Sequence, residues 1–385
     1  MCACLVIKND GIGDLVVSSG LIALIADQFD GVDLIVPEPS RFVAERIPGV
    51  RRVLSVSRSG IRPYRIFNRV GLTILRRPAP DLRVVDWLKR HDYDVAVCLR
   101  RYIRYNSLML MPQVRAARKY CCWQFPTDCN NEFALKQSMG WSHYNPKHEP
   151  FSELLYFEEF LRATLDLTGN TSPRLSLNPL PVGRVNSKPV IALIMGGASA
   201  AWSIESWKQL AEKCAQSGYR VSLFGGKDVF SQAEAIARGI PGCKNNVGTQ
   251  SLIESEALLS CAELVISNDT GLGHLASLRS KKVLIIMGGG TFPRFFPWPQ
   301  NANQYLILKP MSCYGCDWRC EYSERLCLTA ITADAVFSYA ETILDGGGQV
   351  SRFRVLGTYE GSFNALKAFP FLGRYDVDFS QLVRS

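Results

Sequence analysis

Twice along the chain a short run of β-branched and aliphatic residues ends in a glycine or polar turn and gives way to an apolar segment at helical spacing. This repeated order constrains the fold more than any other feature. In the first half, residues 4–7 read as a strand, Asn9 to Asp14 as a glycine turn and residues 15–29 as a helix, with further strands at 32–36, 52–56 and 95–99 and a helix at 84–90. In the second half strands are expected at 190–195, 219–224, 264–267 and 282–287. They alternate with helices at 205–217, 230–238, 252–261 and 271–278. Strands that alternate with helices form a parallel sheet covered on both faces, and such sheets bind ligands at the carboxyl ends of their strands.

A chain of 385 residues is long for one core, and roughly 100 to 200 residues per domain points to two. The stretch 168–188, rich in glycine and proline, reads as the connection. The expected organisation is a first domain at 1–175, a linker at 176–188, a second domain at 189–344 and a tail at 345–385 without an assignable role. Residues 61–80 lose all periodicity and become rich in arginine, as an exposed segment near a binding face does. Residues 120–149 give no readable element.

Hydrophobic residues make up 47% of the chain, enough for two ordinary cores. No apolar run approaches the ~20 residues of a membrane span. The apolar start leads directly into Lys8, Asp10 and Asp14, which suggests a first strand of a cytoplasmic protein rather than a signal segment. The net charge of +9 is concentrated between Arg51 and Lys119, a field suited to an anionic partner. Nucleic acid, an anionic membrane surface and a phosphorylated glycolipid share that chemistry. The regular aromatic interleaving of a nucleic-acid stacking platform is missing, and no nucleic-acid partner is expected.

Three motifs carry chemistry. The turn Gly11-Ile-Gly13-Asp14 lacks the third glycine of a dinucleotide fingerprint. It does place one carboxylate at a helix start, where Asp14 is either a helix cap or a general base. The run Ile266-Ser-Asn-Asp269-Thr270-Gly271-Leu-Gly-His274 ends a strand and starts a helix, so its free amides suit a diphosphate. The alternative is a plain cap with His274 packed on the sheet. Cys313, Cys316, Cys320 and Cys327 supply four soft ligands on one loop, open to three readings: structural zinc or iron, reduced thiols, or a disulfide.

Taken in order, these segments resemble glycosyltransferase family 9, the ADP-heptose:lipopolysaccharide heptosyltransferase family. The resemblance rests on Lys8-Asn-Asp-Gly-Ile-Gly-Asp14 with the following Val16-Val-Ser-Ser-Gly-Leu-Ile22, on Asn268 to Ala276, on Phe292-Pro-Arg294 with Trp298, and on the cysteine segment 312–328. It implies an α/β fold of the GT-B type, two Rossmann-like doubly wound domains facing across a cleft. It also implies inverting transfer of a heptose from ADP-heptose to a hydroxyl of an anionic surface glycan such as the lipopolysaccharide inner core, with no cofactor needed for transfer. By the same resemblance Asp14 takes the place of the catalytic base, and Lys8 and Gly13 lie on the acceptor side. Asp269, Thr270, Gly271 and His274 fall on the donor site, joined by Gln250 near the nucleobase, Asp228 near the ribose and Arg294 as a cation. The partners implied are a nucleotide sugar, an anionic glycan or glycolipid, and the inner face of the cytoplasmic membrane as a peripheral surface.

One position departs from the family. Members carry a lysine or arginine two residues before a tryptophan to meet the donor phosphate, whereas this chain has Glu205 before Trp207 and Ala200 before Trp202. Either Lys227 or Arg294 substitutes, or the donor differs. Rival readings are therefore a GT-B enzyme using another nucleotide sugar or a protein acceptor, and a noncatalytic nucleotide-sugar binder.

Overall fold

A computed structural model of the chain describes residues 3–57, 61–68, 71–78, 81–102, 105–123, 131–144, 152–176, 188–197, 201–298, 301–346 and 350–356. It divides into two compact units, Met1–Leu177 and Asn178–Ser385. The expected linker falls largely on residues 177–187, outside the described residues, as does the tail beyond 356. Among the described residues no helix is long and apolar enough to cross a membrane.

In the first unit the chain runs β1 (Cys4–Ile7), α1 (Ile12–Gln28), β2 (Val32–Pro37), α2 (Arg41–Ala44), β3 (Val50–Val56), β4 (Ile61–Asn68), β5 (Gly71–Pro78), α3 (Leu82–Arg90), β6 (Asp92–Cys98), α4 (Tyr105–Leu108), β7 (Arg115–Cys121), α5 (Asn131–Gln137), β8 (Ser142–His143) and α6 (Glu153–Leu165). Six of the strands form a parallel sheet in the order β3-β2-β1-β6-β7-β8. Its central strands are apolar throughout because both faces are covered, as parallel packing requires. The chain winds outward from β1 to β3 and then returns to β6 on the other side of β1. The sheet's switch point therefore lies between β1 and β6.

The second unit repeats the plan with β9 (Val190–Ile194), α7 (Ile204–Gln216), β10 (Arg220–Phe224), α8 (Phe230–Gly239), β11 (Lys244–Asn245), α9 (Leu252–Ser260), β12 (Leu264–Asn268), α10 (Gly271–Arg279), β13 (Val283–Met287), β14 (Gln304–Leu308), α11 (Leu326–Thr329), α12 (Ala333–Asp345) and β15 (Phe353–Val355). All seven strands are parallel, in the order β11-β10-β9-β12-β13-β14-β15, and the switch point lies between β9 and β12. Helix α7 shows how the sequence specifies the packing. Trp207, Leu210, Ala211 and Cys214 recur at helical spacing, and all four are buried in the core beside Trp202.

Several sequence expectations change. Residues 61–68 and 71–78 pair as antiparallel strands, β4 with β5, separate from the main sheet. The unreadable stretch 120–149 contains the end of β7, then α5 and β8, with Cys121, Trp123 and Trp141 in the core. Residues 168–176, read as linker, pack on α1 instead. The Arg174 amide donates to Ser19 Oγ at 2.8 Å, and the Ser176 amide donates to the Arg46 carbonyl at 2.6 Å. Part of the supposed tail is β15, which closes the sheet beyond β14.

The close approach of residues 171–172 to α1 depends on Gly20, where a Cβ would come within 2.1 Å of the Ser172 carbonyl oxygen and 2.3 Å of that of Thr171. Both are backbone atoms and cannot swing aside. Gly20→Ala should therefore destabilise the first unit by about 1–3 kcal/mol, the range for an overpacked core, seen as a lower denaturation midpoint. An unchanged midpoint would mean that this contact is not as close as described.

A similar constraint holds the cysteine loop in the second unit. The Gly315 and Asp317 amides donate to the Gly289 and Gly290 carbonyls, both at 2.8 Å, and a Cβ on Gly289 would lie 2.1 Å from the Tyr314 ring. Gly289→Ala should displace the loop and speed tryptic cleavage at the exposed Arg319 and Arg325. Equal cleavage rates in mutant and parent would count against that docking.

Candidate active site

Each unit gathers its reactive side chains at the carboxyl edge of its sheet. In the first unit Gly11 precedes α1 in extended conformation, and Gly13 and Asp14 lie in the first turn of the helix. Asp14 is not the residue that caps the helix. Its Oδ2 accepts from the Gly11 amide at 3.2 Å, reaching back from the third helical position. Its carboxyl is pushed up to about 6, first by burial and next by Asp10, with Glu153 adding to the rise while Lys8 and Arg100 oppose it. At neutral pH it is thus largely ionised, yet considerably more basic than an exposed aspartate.

Lys8 ends β1 fully buried. Its ammonium lies 2.9 Å from Asp10 and 3.5 Å from Glu153 at the start of α6, and 4.5 Å over the Phe157 ring. Burial disfavours its charge, but Asp10, Glu153 and Asp14 outweigh that and hold its pKa above the ordinary lysine value. Arg100, just past β6, reaches across the switch point to Asp10 at 2.7 Å and also donates to the carbonyls of Asn9 and Tyr102. Asp10, Arg100 and Glu153 escaped the sequence reading. Arg100 was counted there only as part of a basic field.

That field is weaker than its arginine count implies. Arg51 and Arg52 engage the buried Asp33, Arg83 engages Asp81, and Arg115 engages Asp92. The side chains of the arginines between 58 and 80 lie outside the described residues.

In the second unit, parallel strands bring the turns after β9, β10, β11, β12 and β13 to one edge. Thr270 caps α10, its hydroxyl accepting from the Gly273 amide at 3.0 Å. Gly271 and Leu272 then stand at the helix's positive end with first-turn amides directed outward. Gly273 is required for this close packing, since a Cβ there would lie 2.7 Å from Ser267 Oγ. Asp269 is gripped on both oxygens, by His274 Nε2 at 3.2 Å and by the Thr291 hydroxyl at 3.2 Å. His274 is buried and stacks on Phe296 at 4.1 Å, so it is both packed on aromatic neighbours and tied to the loop carboxylate. At the switch point itself the Trp202 amide donates to Asn268 Oδ1 at 3.1 Å.

The other expected residues share this edge by topology. Asp228 lies in the short turn Lys227–Val229 after β10, folded over Gly226, where a Cβ would come within 2.3 Å of its Oδ1. Gln250 precedes the capped start of α9. Arg294 belongs to the turn begun by Thr291: its amide donates to the Thr291 carbonyl at 2.7 Å, and its guanidinium lies over Phe295 and 3.8 Å from Asp317. Thr291, missed in the sequence, is the link that ties the Arg294 turn to the Asp269 loop.

The metal reading of Cys313, Cys316, Cys320 and Cys327 gains no support from the geometry. All four are free thiols, and among the described residues no group of three or more His, Cys, Asp or Glu is placed to hold a metal ion. The loop is held by other contacts. The Tyr314 and Trp318 rings cover Gly288 to Gly290, and Cys327 Sγ instead accepts from the Gly289 amide at 3.3 Å.

Comparison with known proteins agrees with this geometry. Residues 131–321 match the model of glycosyltransferase family 9 (heptosyltransferase). Lipooligosaccharide heptosyltransferase 2 of Haemophilus ducreyi is 21% identical over 324 residues, covering 79% of this chain and 87% of that protein. Among solved structures, a glycosyl transferase family 9 protein from Veillonella parvula superposes with a TM-score of 0.68 at 15% identity, over 90% of this chain and 98% of that one. The E. coli ADP-heptose LPS heptosyltransferase II superposes with a TM-score of 0.63 at 17% identity, over 90% of this chain and 99% of that one. The fold is GT-B, built from two Rossmann-like units. With both sheets, their switch-point loops and the matched segment in agreement, residues 131–321 carry the sequence of glycosyltransferase family 9, the heptosyltransferase family, and the chain is a sugar-transferring enzyme.

Proposed function

We propose that the chain transfers a heptose from ADP-heptose to a hydroxyl of an anionic lipopolysaccharide inner-core acceptor, with inversion at the anomeric carbon. The observation that carries this reading is Asp14: a carboxyl raised to about 6 at the switch point of the first sheet, deprotonated at neutral pH but still basic. A general base works best when its pKa lies near the working pH. The acceptor hydroxyl gives its proton to Asp14 while its oxygen attacks the anomeric carbon, and the nucleoside diphosphate departs with the bonding electron pair.

The second unit supplies the donor anchor. The amides of Gly271 and Leu272 and the positive end of α10 are ready for the diphosphate, and preorganised donors of this kind need no rearrangement as charge develops. Asp269 and His274 support that loop, Asp228 and Gln250 serve the nucleoside, and Arg294 provides the cation that neither Ala200 nor Glu205 can. Its place in the turn anchored through Thr291 to Asp269 favours it over Lys227, which is exposed in the turn after β10. On the acceptor side Gly13 lets the sugar approach the helix start. Lys8 serves the reacting centre from within, through Asp10 and Glu153, and does not meet the acceptor phosphate. The acceptor is a glycolipid of the inner membrane face, so the enzyme works in the cytoplasm or at that surface.

Asp14→Asn should keep nucleotide-sugar binding and lose turnover by at least the ~100-fold expected when a general base is removed. Near-normal turnover in that variant would remove Asp14 from the role.

Donor choice is open to a thermal-shift comparison. ADP-heptose should raise the melting temperature clearly more than UDP- or GDP-sugars, because saturation to about 100 times the dissociation constant adds ~2.7 kcal/mol of stability. Equal shifts, or preference for another nucleotide, would point to a different sugar donor.

A further inference from the structure

The ionisable groups around Asp14 form one set drawn from four places in the chain, with Lys8, Arg100 and Glu153 buried and Asp10 half-buried. Lys8 comes from the end of β1, Asp10 from the glycine turn, Arg100 from beyond β6 and Glu153 from the start of α6. Asp10 is the connecting member, holding Lys8 at 2.9 Å on one oxygen and Arg100 at 2.7 Å on the other. Two thiols packed here stay neutral, and one further cation, Arg101, is buried beside them. Burial pushes the Cys98 thiol up to about 12 and the Cys122 thiol well above its usual value, so both stay neutral, and Arg101 lies over the Tyr156 ring.

Asp14 has Lys8 and Arg100 as cationic neighbours and Asp10 and Glu153 as anionic ones. Asp10 lies in direct contact with both cations. Without it the two cations would act on Asp14 with less opposition, and Asp14 would hold a proton less well.

We propose that Asp10 is a positioning residue for sugar transfer: by bridging Lys8 and Arg100 across the switch point, it engages both cations and keeps Asp14 able to take up a proton. During transfer that proton comes from the acceptor hydroxyl, whose oxygen bonds to the anomeric carbon as the carbon–oxygen bond to the diphosphate breaks toward the leaving group. This inference rests on the reading of Asp14 as the base.

The test is the pH dependence of kcat/KM for Asp10→Asn beside the parent enzyme. In the parent, activity should rise as Asp14 loses its proton near pH 6. Removing a neighbouring negative charge makes Asp14 easier to ionise, so in the variant the acid limb should move to lower pH by at least about half a unit. The plateau above it should fall severalfold, because the base is weaker. A residue with only a structural role would lower the plateau and leave the limb in place, and that outcome, or a limb moved upward, overturns the proposal. Asp10→Ser carries the same expectation if the asparagine variant fails to fold. Carboxylate 13C titration, with Asp14 assigned through Asp14→Asn, reads the same shift without substrate. If the parent transfers no sugar from any nucleotide donor, the functional reading fails; if it does and the Asp14 midpoint stays put in Asp10→Asn, only the present inference fails.

Discussion

Both halves of the molecule depend on a constraint of parallel sheets: every strand must be re-entered from the same end, so all the connecting turns at its carboxyl edge crowd together. Where the strand order reverses, the two neighbouring turns lead away to opposite faces of the sheet and leave room between them. In the first unit this occurs between β1 and β6, and the two turns are joined there by Arg100 and Asp10. In the second it occurs between β9 and β12, joined by the Trp202 amide and Asn268. The sequence order of strands thus decides where chemistry can be placed before any side chain is chosen.

Once the place is set, the first unit must resolve a conflict. A carboxylate in the first turn of a helix is stabilised as the anion, typically by 0.3 to 1 kcal/mol, which alone would make Asp14 a poorer base. Its rise from an ordinary 3.8 to about 6 is a shift of about two pK units, on the order of 3 kcal/mol in the other direction. Burial and the neighbouring carboxylates therefore outweigh the helix. Lys8 and Arg100 keep the same burial from going further, since they favour the anion. The result is a group poised between an inert carboxylate and a permanently protonated acid, which suits proton abstraction near neutrality.

The parts of this picture that were legible in the sequence are those written in local patterns. The β-branched runs gave the central strands, because strands buried on both faces must be apolar throughout, and the glycine turns marked where the edge lies. Strand β7 was missed because it sits toward the side of the sheet, and Arg115, Arg118 and Lys119 give it no apolar period. Residues 168–176 were misread because glycine and proline suggest a connection, while their packing depends on a glycine about 150 residues earlier in α1. The site divides in the same way. Asp14, Asp269 and His274 stand in motifs, but Glu153 meets Lys8 across 145 positions and Thr291 meets Asp269 across 22, distances over which no periodicity operates.

The cysteine loop is a local pattern whose contacts reach the other motifs. Four thiols lie within fifteen residues, and the rings between them direct the backbone. Tyr314 and Trp318 press on Gly288 to Gly290, the segment that leaves β13 at the donor edge, and the short step from there to Thr291 and Arg294 leads directly to Asp269. The loop also carries Asp317, the anionic neighbour of Arg294. That packing holds the segment bearing Arg294, the residue proposed as the cation for the diphosphate in a chain that has none at Ala200 or Glu205.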